Sequence, residues 1–276
     1  MADFSGYDIA NEHYDDINNN HTDFMQACGA FEIPESVDPR PWYHIEMQYQ
    51  LSSCVGNALT GPMELSYRAA TGNIEQFSRM DAYLQAQKYS DLVQPGFRYF
   101  GRDGGALIAG ARRAAIEHGV CLEKLFPYPK PPAYSTNIPK GETDDAGRFK
   151  IRSSSTISAS NGGDAFDQAK TYLGAGVGGL LVGAPWPFNI GANHTVTNFR
   201  NYGRFGHAWT ILGYLKDILV AANSHDVGFE DKGFFYLNRQ GFNEMVANRG
   251  VTVVGLSDLT TPRGRKVDWE TESMFA

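Results

Sequence analysis

Apolar positions recur with two different periods along the chain, and the change of period divides it into two halves. Between residues 54 and 123, apolar side chains fall at three- and four-residue steps in "MDAYLQAQKYSDLV" and "GGALIAGARRAAIEHGV", which is typical of helices. After the proline-rich "FPYPKPPAYSTNIP", short apolar runs between turn residues predict strands. These runs are "FKIRSSSTIS", "GLLVGAP", "HAWTILGYL", "DILVAANS" and "GFFYLNR". The pattern predicts an α+β protein, with a helical lobe over about 50–145 and a mainly antiparallel β lobe over about 146–256.

The two ends of the chain lack these patterns. We expect an acidic N-terminal extension over residues 1–30, a folded domain over 31–256 and a polar tail over 257–276. A length of 276 residues with 42% hydrophobic content is sufficient for a large core. The net charge of −7, without clustered cations on a folded segment, argues against a nucleic-acid partner.

No membrane partner is predicted. The uncharged stretch 171–193 is rich in glycine and contains two prolines, so we interpret its apolar centre as a buried strand. The N-terminus has acids and amides where a signal peptide needs a basic start and an apolar run. These features predict a location in the cytoplasm or packaged in a viral particle.

No cofactor or metal is predicted either. The segment "GAGVGG" fits G-x-G-x-x-G, but a predicted helix precedes it and a strand follows, which reverses the order that nucleotide binding requires. Three cysteines are too few and too scattered for a disulfide framework, and Cys28 and Cys121 are predicted to be structural. Five histidines lack a companion at metal-ligand spacing, namely His13, His21, His44, His118 and His194.

The remaining cysteine, Cys54 in "QYQLSSCVGN", precedes a run that predicts a helix. A thiolate nucleophile is favoured at a helix N-terminus beside an imidazolium. "GHAWTILGY" places His207 at the start of an apolar strand, and "LVAANSHDVGFEDKGFFYL" places Asn223 at the end of the next strand. A buried cysteine alone is usually a small hydrophobe. The prediction of a nucleophile, a base and an orienting amide therefore depends on all three residues.

Four blocks of the sequence, in order, resemble the papain-like cysteine peptidases, in particular their bacterial and viral branch without the secreted architecture. The blocks are "PESVDPRPWYHIEMQYQLSSCVGNAL", "DGGALIAGARRAAIEHGVCLEKLFPYP", "GHAWTILGY" and "ANSHDVGFEDKGFFYL". The resemblance implies a two-lobed papain-like fold, with a helical lobe, an antiparallel β-barrel-like lobe and a cleft between them. It also implies a cofactor-independent peptidase that acts on protein or peptide substrates.

The resemblance assigns roles to four residues of this sequence. Cys54 would be the nucleophile, His207 its base and Asn223 the amide that orients the base. Gln48, six residues before Cys54, would form the oxyanion hole with the backbone N–H of Cys54; Gln50 would not. Peptide bonds would be hydrolysed through a thiolate–imidazolium pair and a thioester acyl-enzyme.

Three departures from the family pattern carry their own expectations. Ser52 replaces a common glycine and narrows the conformations of the loop before the nucleophile. His225 and Asp226 replace a Trp-Gly pair after Asn223, which predicts either a wetter amide–histidine bond or a second titrating group beside the base. Pro62 is expected to kink or shorten the helix that begins at the cysteine.

Two other functions are compatible with the same residues. A catalytically weak or inactive papain-like fold could serve as a binding or structural module, for example in a phage particle. The same chemistry could also cleave the amide bonds of cell walls.

Overall fold

The structure is a computed structural model that describes residues 32–158 and 164–259. The predicted extension 1–30, with Cys28, and the tail beyond Leu259 lie outside the described residues. The helices are α1 (Cys54–Thr71), α2 (Arg79–Val93), α3 (Ile108–Glu117), α4 (Glu142–Ala146), α5 (Ala165–Gly174) and α6 (Arg239–Val246), with a 3-10 turn over Ala192–His194. The strands are β1 (Ser36–Val37), β2 (Ile151–Thr156), β3 (Gly178–Phe188), β4 (Thr195–Val196), β5 (Asn201–Leu215), β6 (Ile218–Ala222), β7 (Phe234–Asn238) and β8 (Thr252–Leu259).

Local sequence signals set several of the helix starts. Ser78 caps α2 by accepting the N–H of Asp81, Asp164 caps α5, and Asn238 caps α6 by accepting the N–H of Gly241. These side chains satisfy backbone donors that have no partner inside the helix. The ends of these helices are therefore encoded next to them in the sequence.

The strands form one open sheet in the order β2-β8-β3-β5-β6-β7-β4, and β1 pairs with β5. All pairings are antiparallel except the short β4–β7 pair, which is parallel. The predicted barrel-like lobe is thus a sheet whose described strands do not close on themselves. The long central strands β3 and β5 align Ala184 with His207, so the middle of the sheet positions the predicted base.

The sheet has two buried faces, because neighbouring residues of β3 belong to different clusters. Leu181 packs with residues of α1, α2 and α3, whereas Leu180 and Val182 pack with residues of α5 and α6. Strand alternation of period two produces this division. The helical lobe therefore lies against one face of the sheet, with α1 at the junction.

Glycines allow α1 to approach its neighbours closely. A Cβ on Gly56 would lie 2.6 Å from the backbone nitrogen of Tyr83 in α2, and one on Gly61 would lie 2.8 Å from the Thr210 side chain in β5. Only a residue without a side chain fits at such separations. These two positions hold the helix that begins at Cys54 between α2 and the sheet.

Most predicted elements are present. The sequence did not predict the short elements α4, β1 and β4, nor α6, nor β8, which continues to Leu259 beyond the boundary drawn at residue 256. The expected shortening at Pro62 is wrong, because α1 continues through it to Thr71. Packing explains this result, since β3 lies against the proline: a Cβ on Gly179 would be 3.2 Å from Pro62 Cα. None of the described helices combines the length and the apolar content that are needed to cross a membrane.

Candidate active site

Cys54 is the first residue of α1 and is fully buried. The preceding Ser53 does not cap the helix with its side chain; its Oγ bonds to the Tyr128 hydroxyl at 2.6 Å and accepts from Asn57 Nδ2 at 3.0 Å. The first turn of α1 has no acidic residue. The positive end of the helix dipole therefore acts on the thiol without an opposing carboxylate in that turn. Cys54 also shares a buried cluster with Ala208 of β5.

His207 and Asn223 form a buried hydrogen bond that fixes the proton on the imidazole. The backbone N–H of Ser224 donates to Asn223 Oδ1 at 2.8 Å, which identifies that atom as the amide oxygen. His207 Nε2 lies 2.8 Å from the same oxygen and must therefore donate to it. Nδ1 of the neutral ring is then unprotonated, and it has no hydrogen-bond partner among residues 32–158 and 164–259. His207 thus presents a buried Nδ1 that can accept a proton.

Aromatic rings enclose this pair. Trp186 of β3 lies with its ring centroid 4.8 Å from that of His207, and the ring of His225 stacks on His207 at 4.8 Å with an interplanar angle of 23°. The expectation of a wetter bond is wrong, because His207 is fully buried and Trp186 supplies an indole from another strand. The expectation of a second titrating group beside the base is confirmed by His225.

This environment disfavours a positive charge on His207. Burial, together with the nearby His225, lowers the pKa of His207 to about 3, against the raising effect of the bond to Asn223. Burial also lowers the pKa of His225, to about 4. Both imidazoles are therefore neutral near pH 7 unless a negative group compensates for the proton.

Gln48 lies beside the Asn223 turn with its side chain oriented. Nε2 donates to the carbonyl of Leu51 at 3.0 Å, and Oε1 accepts from Ser224 Oγ at 2.6 Å. The amide nitrogen carries a second N–H that could serve an oxyanion. Gln48 is 1% exposed, whereas Gln50 is exposed. The structure therefore places Gln48, and not Gln50, next to the residues after Asn223.

A short backbone bridge holds the Gln48 and Asn223 segments together. Met47 and His225 pair as an isolated antiparallel bridge. The bonds are Gln48 N to Ser224 O at 3.0 Å and Asp226 N to Glu46 O at 3.2 Å. The predicted oxyanion donor and the predicted orienting amide therefore belong to one hydrogen-bonded unit.

The loop before Cys54, the predicted nucleophile, is held by Asp103, which the sequence did not single out. Asp103 Oδ1 accepts the backbone N–H of Ser52 at 2.9 Å and the hydroxyl of Tyr83 at 2.8 Å. Ser52 is the position where a glycine is common in the resembling family. The Asp103 carboxylate thus restricts the conformation of the loop at Ser52 and connects this loop to Tyr83 of α2.

A buried ionic cluster lies directly behind the Gln48 segment. Arg79 bonds to Glu46 and, at 3.0 Å, to Glu123, and its guanidinium lies 4.5 Å above the Tyr128 ring. Burial raises the pKa of Glu46 to about 7 in spite of Arg79, and it raises the pKa of Glu64 well above its usual range. Tyr128 in turn donates to the Gln48 carbonyl at 2.9 Å. The cluster therefore supports the site through Glu46 and Tyr128.

A second polar group, away from these residues, brings together Asp81, His118 and Glu142, whose ligand-type atoms lie within 4.8 Å of one another. His118 Nε2 is 2.7 Å from Glu142 Oε1, and Gln85 Nε2 donates to both carboxylates. The pKa of Asp81 is raised by burial and by the neighbouring Glu142. No local ligand spacing predicts this group, because its three members are far apart in the sequence. Its members satisfy one another as a hydrogen-bonded network.

Solved structures with the same architecture are cysteine proteases. The chain is similar to xylellain, a cysteine protease from Xylella fastidiosa, with 21% identity, a TM-score of 0.68, and coverage of 95% of this chain and 98% of xylellain. It is also similar to procathepsin B S9 from Trypanosoma congolense, with 16% identity, a TM-score of 0.59, and coverage of 86% and 82%. It is similar as well to the bromelain protease from Ananas comosus, solved in complex with the E64 inhibitor. The identity is 16%, the TM-score is 0.57, and the match covers 82% of this chain and 99% of the bromelain chain.

No protein-family model matches the sequence, and no curated protein matches it significantly. The structural similarity at these identities establishes the architecture. The chain has the two-lobed papain-like α+β fold, and this prediction from the sequence is confirmed.

Proposed function

We propose that this protein is a cysteine peptidase in which Cys54 is the nucleophile, His207 the base and Asn223 the residue that orients the base. The observation that carries the proposal is the bond between His207 Nε2 and Asn223 Oδ1, which leaves the buried Nδ1 as the only proton acceptor on the ring. The position of Cys54 at the start of α1 also supports the proposal, because a helix N-terminus favours a thiolate. The resemblance of four sequence blocks gives these residues the same roles.

The reaction begins when His207 Nδ1 takes the proton of the Cys54 thiol. The thiolate attacks the carbonyl carbon of a peptide bond, and the carbonyl oxygen becomes an oxyanion. His207 then gives its Nδ1 proton to the leaving amine, the C–N bond breaks, and an acyl thioester remains on Cys54. Water, deprotonated by His207, hydrolyses the thioester and restores the thiol.

Two groups are positioned to stabilise the oxyanion. The backbone N–H of Cys54 lies at the N-terminus of α1, where the N–H groups and the helix dipole favour an anion, and Gln48 Nε2 has a second N–H besides the one given to Leu51. Donors of this kind contribute roughly 3 kcal/mol each to transition-state stabilisation. The Ser224 hydroxyl holds the opposite end of the Gln48 amide.

The depressed pKa of His207 sets a condition on this mechanism. With the pKa lowered to about 3, an isolated imidazolium would not persist at neutral pH. Proton transfer from Cys54 creates a thiolate beside the ring, and its attraction offsets the cost of burying the cation. The helix N-terminus adds to this compensation.

The test is the rate of Cys54 alkylation by iodoacetamide as a function of pH. We expect a fast reaction that persists well below a free thiol pKa of about 8.5 and that is lost in His207→Ala. The double variant Cys28→Ser/Cys121→Ser serves as the background, because it leaves Cys54 as the one thiol that can react. A reaction that rises only near the free thiol pKa, with or without His207, would contradict the proposal and favour a binding module on a peptidase fold.

Protein and peptide substrates follow from this chemistry. Cleavage of casein or a peptide library, abolished by Cys54→Ala, is the expected result. Cleavage of cell-wall fragments without cleavage of casein would instead identify the amide hydrolase. Association with a viral particle remains a prediction from the sequence, and Cys54-dependent hydrolysis by purified particles would support it.

A further inference from the structure

We propose that His225 is a positioning residue: its neutral imidazole accepts a hydrogen bond from Asn223 and stacks on His207, so that Asn223 and His207 keep their orientation only while His225 is unprotonated. This inference rests on the proposed function and gives a role to a second imidazole, that of His225, beside the proposed base His207. No residue of this kind is expected from the family resemblance, which places a tryptophan at this position.

The tautomer of His225 follows from the hydrogen bonds. The Ser224 N–H fixes Asn223 Oδ1, so the other amide atom is Nδ2, which can only donate. His225 Nδ1 lies 3.2 Å from Asn223 Nδ2. The ring nitrogen must therefore accept, and the proton of the neutral ring is on Nε2.

The stacking of His225 on His207, like the hydrogen bond from Asn223, requires a neutral His225 ring. The two imidazoles lie 4.8 Å apart and nearly parallel, and Trp186 and Phe229 pack around His225 at 5.7 and 5.5 Å. During the proposed reaction His207 becomes positive. A second positive ring at this distance, within an aromatic enclosure, would oppose that charge.

The charged and titratable groups on the elements around His225 are few and mostly paired. β5 presents His207, and β3 presents the uncharged Trp186. The bridging segment carries Glu46, which bonds to Arg79, and the loop after His225 carries Asp226, Glu230, Asp231 and Lys232. Glu230 bonds to His194 and Asp231 to Tyr236. His207 is in direct ring contact with His225 and also titrates.

Protonation of His225 would turn an attraction into a repulsion. An Nδ1–H would face the Asn223 Nδ2–H₂ group, and relief by rotation of the amide would present Nδ2 to the His207 Nε2–H and to the Ser224 N–H. The bond that orients the base would be lost. Burial lowers the pKa of His225 to about 4, so the neutral form prevails through the neutral range.

The first test reads the tautomer directly and does not depend on activity. In protein labelled with ¹⁵N-histidine, His225 should give the Nε2–H pattern at neutral pH, assigned by the signals that disappear in His225→Asn. An Nδ1–H tautomer or a protonated ring at neutral pH would overturn the inference.

The second test compares His225→Asn, whose Oδ1 can replace Nδ1 as an acceptor, with His225→Phe, which keeps a ring but has no acceptor. We expect His225→Phe to lose on the order of tenfold in kcat/KM, the effect of one lost hydrogen bond, and His225→Asn to retain clearly more. On the acid side, kcat/KM of the wild type should fall with one more proton than that of His225→Asn. His194→Gln, a change at a half-exposed histidine that pairs with Glu230, should leave this slope unaltered.

The outcomes separate the two proposals. If the wild type hydrolyses peptides and His225→Asn keeps the same acid slope, or does no better than His225→Phe, the inference about His225 fails and the proposed function stands. If hydrolysis does not depend on Cys54 at all, the proposed function fails, and the role of His225 in an active enzyme fails with it, whatever the tautomer.

Discussion

Replacing Arg79 with methionine should destabilise the protein, and by more at alkaline than at acidic pH. Burial raises the pKa of Glu46 from 4.5 to about 7, so between these values the folded protein binds more protons than the unfolded chain and stability falls as pH rises. Above pH 7 both states are ionised in the wild type. Without Arg79 the pKa of Glu46 rises further, and the loss of stability continues to higher pH.

The size of this effect follows from the same numbers. At about pH 8.5, ionisation of Glu46 in the wild type is favoured by about 1.5 pH units, or about 2 kcal/mol, and Arg79→Met would forfeit this amount. Loss of the contacts with Glu123 and Tyr128 adds about 1 kcal/mol at any pH. We therefore expect a loss of about 3 kcal/mol at about pH 8.5 and about 1 kcal/mol at about pH 5.5, where Glu46 is protonated.

Urea unfolding at the two pH values, followed by circular dichroism, measures both losses. Arg113→Met is the matched control, because Arg113 forms an exposed pair with Glu117 at 2.6 Å, and we expect it to cost less than about 0.5 kcal/mol at either pH. Adding Glu46→Gln to Arg79→Met should recover most of the alkaline loss. An equal loss at both pH values, or no recovery in the double variant, would refute the reasoning about Glu46.

Two further predictions concern packing and the oxyanion hole. Gly56→Ala would place a Cβ 2.6 Å from the Tyr83 backbone nitrogen, and it should lower the free energy of unfolding, measured by thermal unfolding, by about 2 kcal/mol because α1 and α2 must separate. The control is Gly228→Ala, whose Cβ would have nothing within 4 Å and which should leave stability almost unchanged. Equal losses of stability in the two variants would show that α1 can shift freely. Ser224→Ala removes the donor to Gln48 Oε1 and should lower kcat on the order of tenfold with little change in KM, measured with a peptide substrate; an effect confined to KM would contradict a role for Gln48 in the transition state.

The elements that the sequence predicted well are those with strong local patterns. In helix α2 apolar residues recur at three- and four-residue steps, and strands β5 and β6 contain short apolar runs bounded by turn residues. Helix α6 has only eight residues, so Phe242, Met245 and Val246 show the helical spacing just once, which is too short a run to identify a helix. Strand β8 lies next to the edge of the sheet, between β2 and β3, and both of these partners are distant in sequence. Pairing of that kind has no local signature.

The same distinction applies to the candidate site. Gln48, Cys54, His207 and Asn223 were predicted because each is part of a sequence block that resembles one family. Trp186 was not, since its position over His207 depends on the register of β3 against β5. Helix α1, which continues through Pro62, is the opposite case. The local rule that proline ends a helix does not hold there, because packing against β3 compensates for the missing hydrogen bond.

The geometry of the site suggests why polar residues are buried here at a cost in stability. The bridge between Met47 and His225 joins the segment of the proposed oxyanion donor, Gln48, to the segment of the proposed orienting amide, Asn223. Side chains then complete the unit, with Ser224 holding Gln48 and Tyr128 bonding to the Gln48 carbonyl. Because one set of hydrogen bonds positions both groups, a change on either side should disturb both functions together. Cys54, the proposed nucleophile, lies on a separate helix, α1. The close approaches at Gly56 and Gly61 dock this helix against α2 and the sheet.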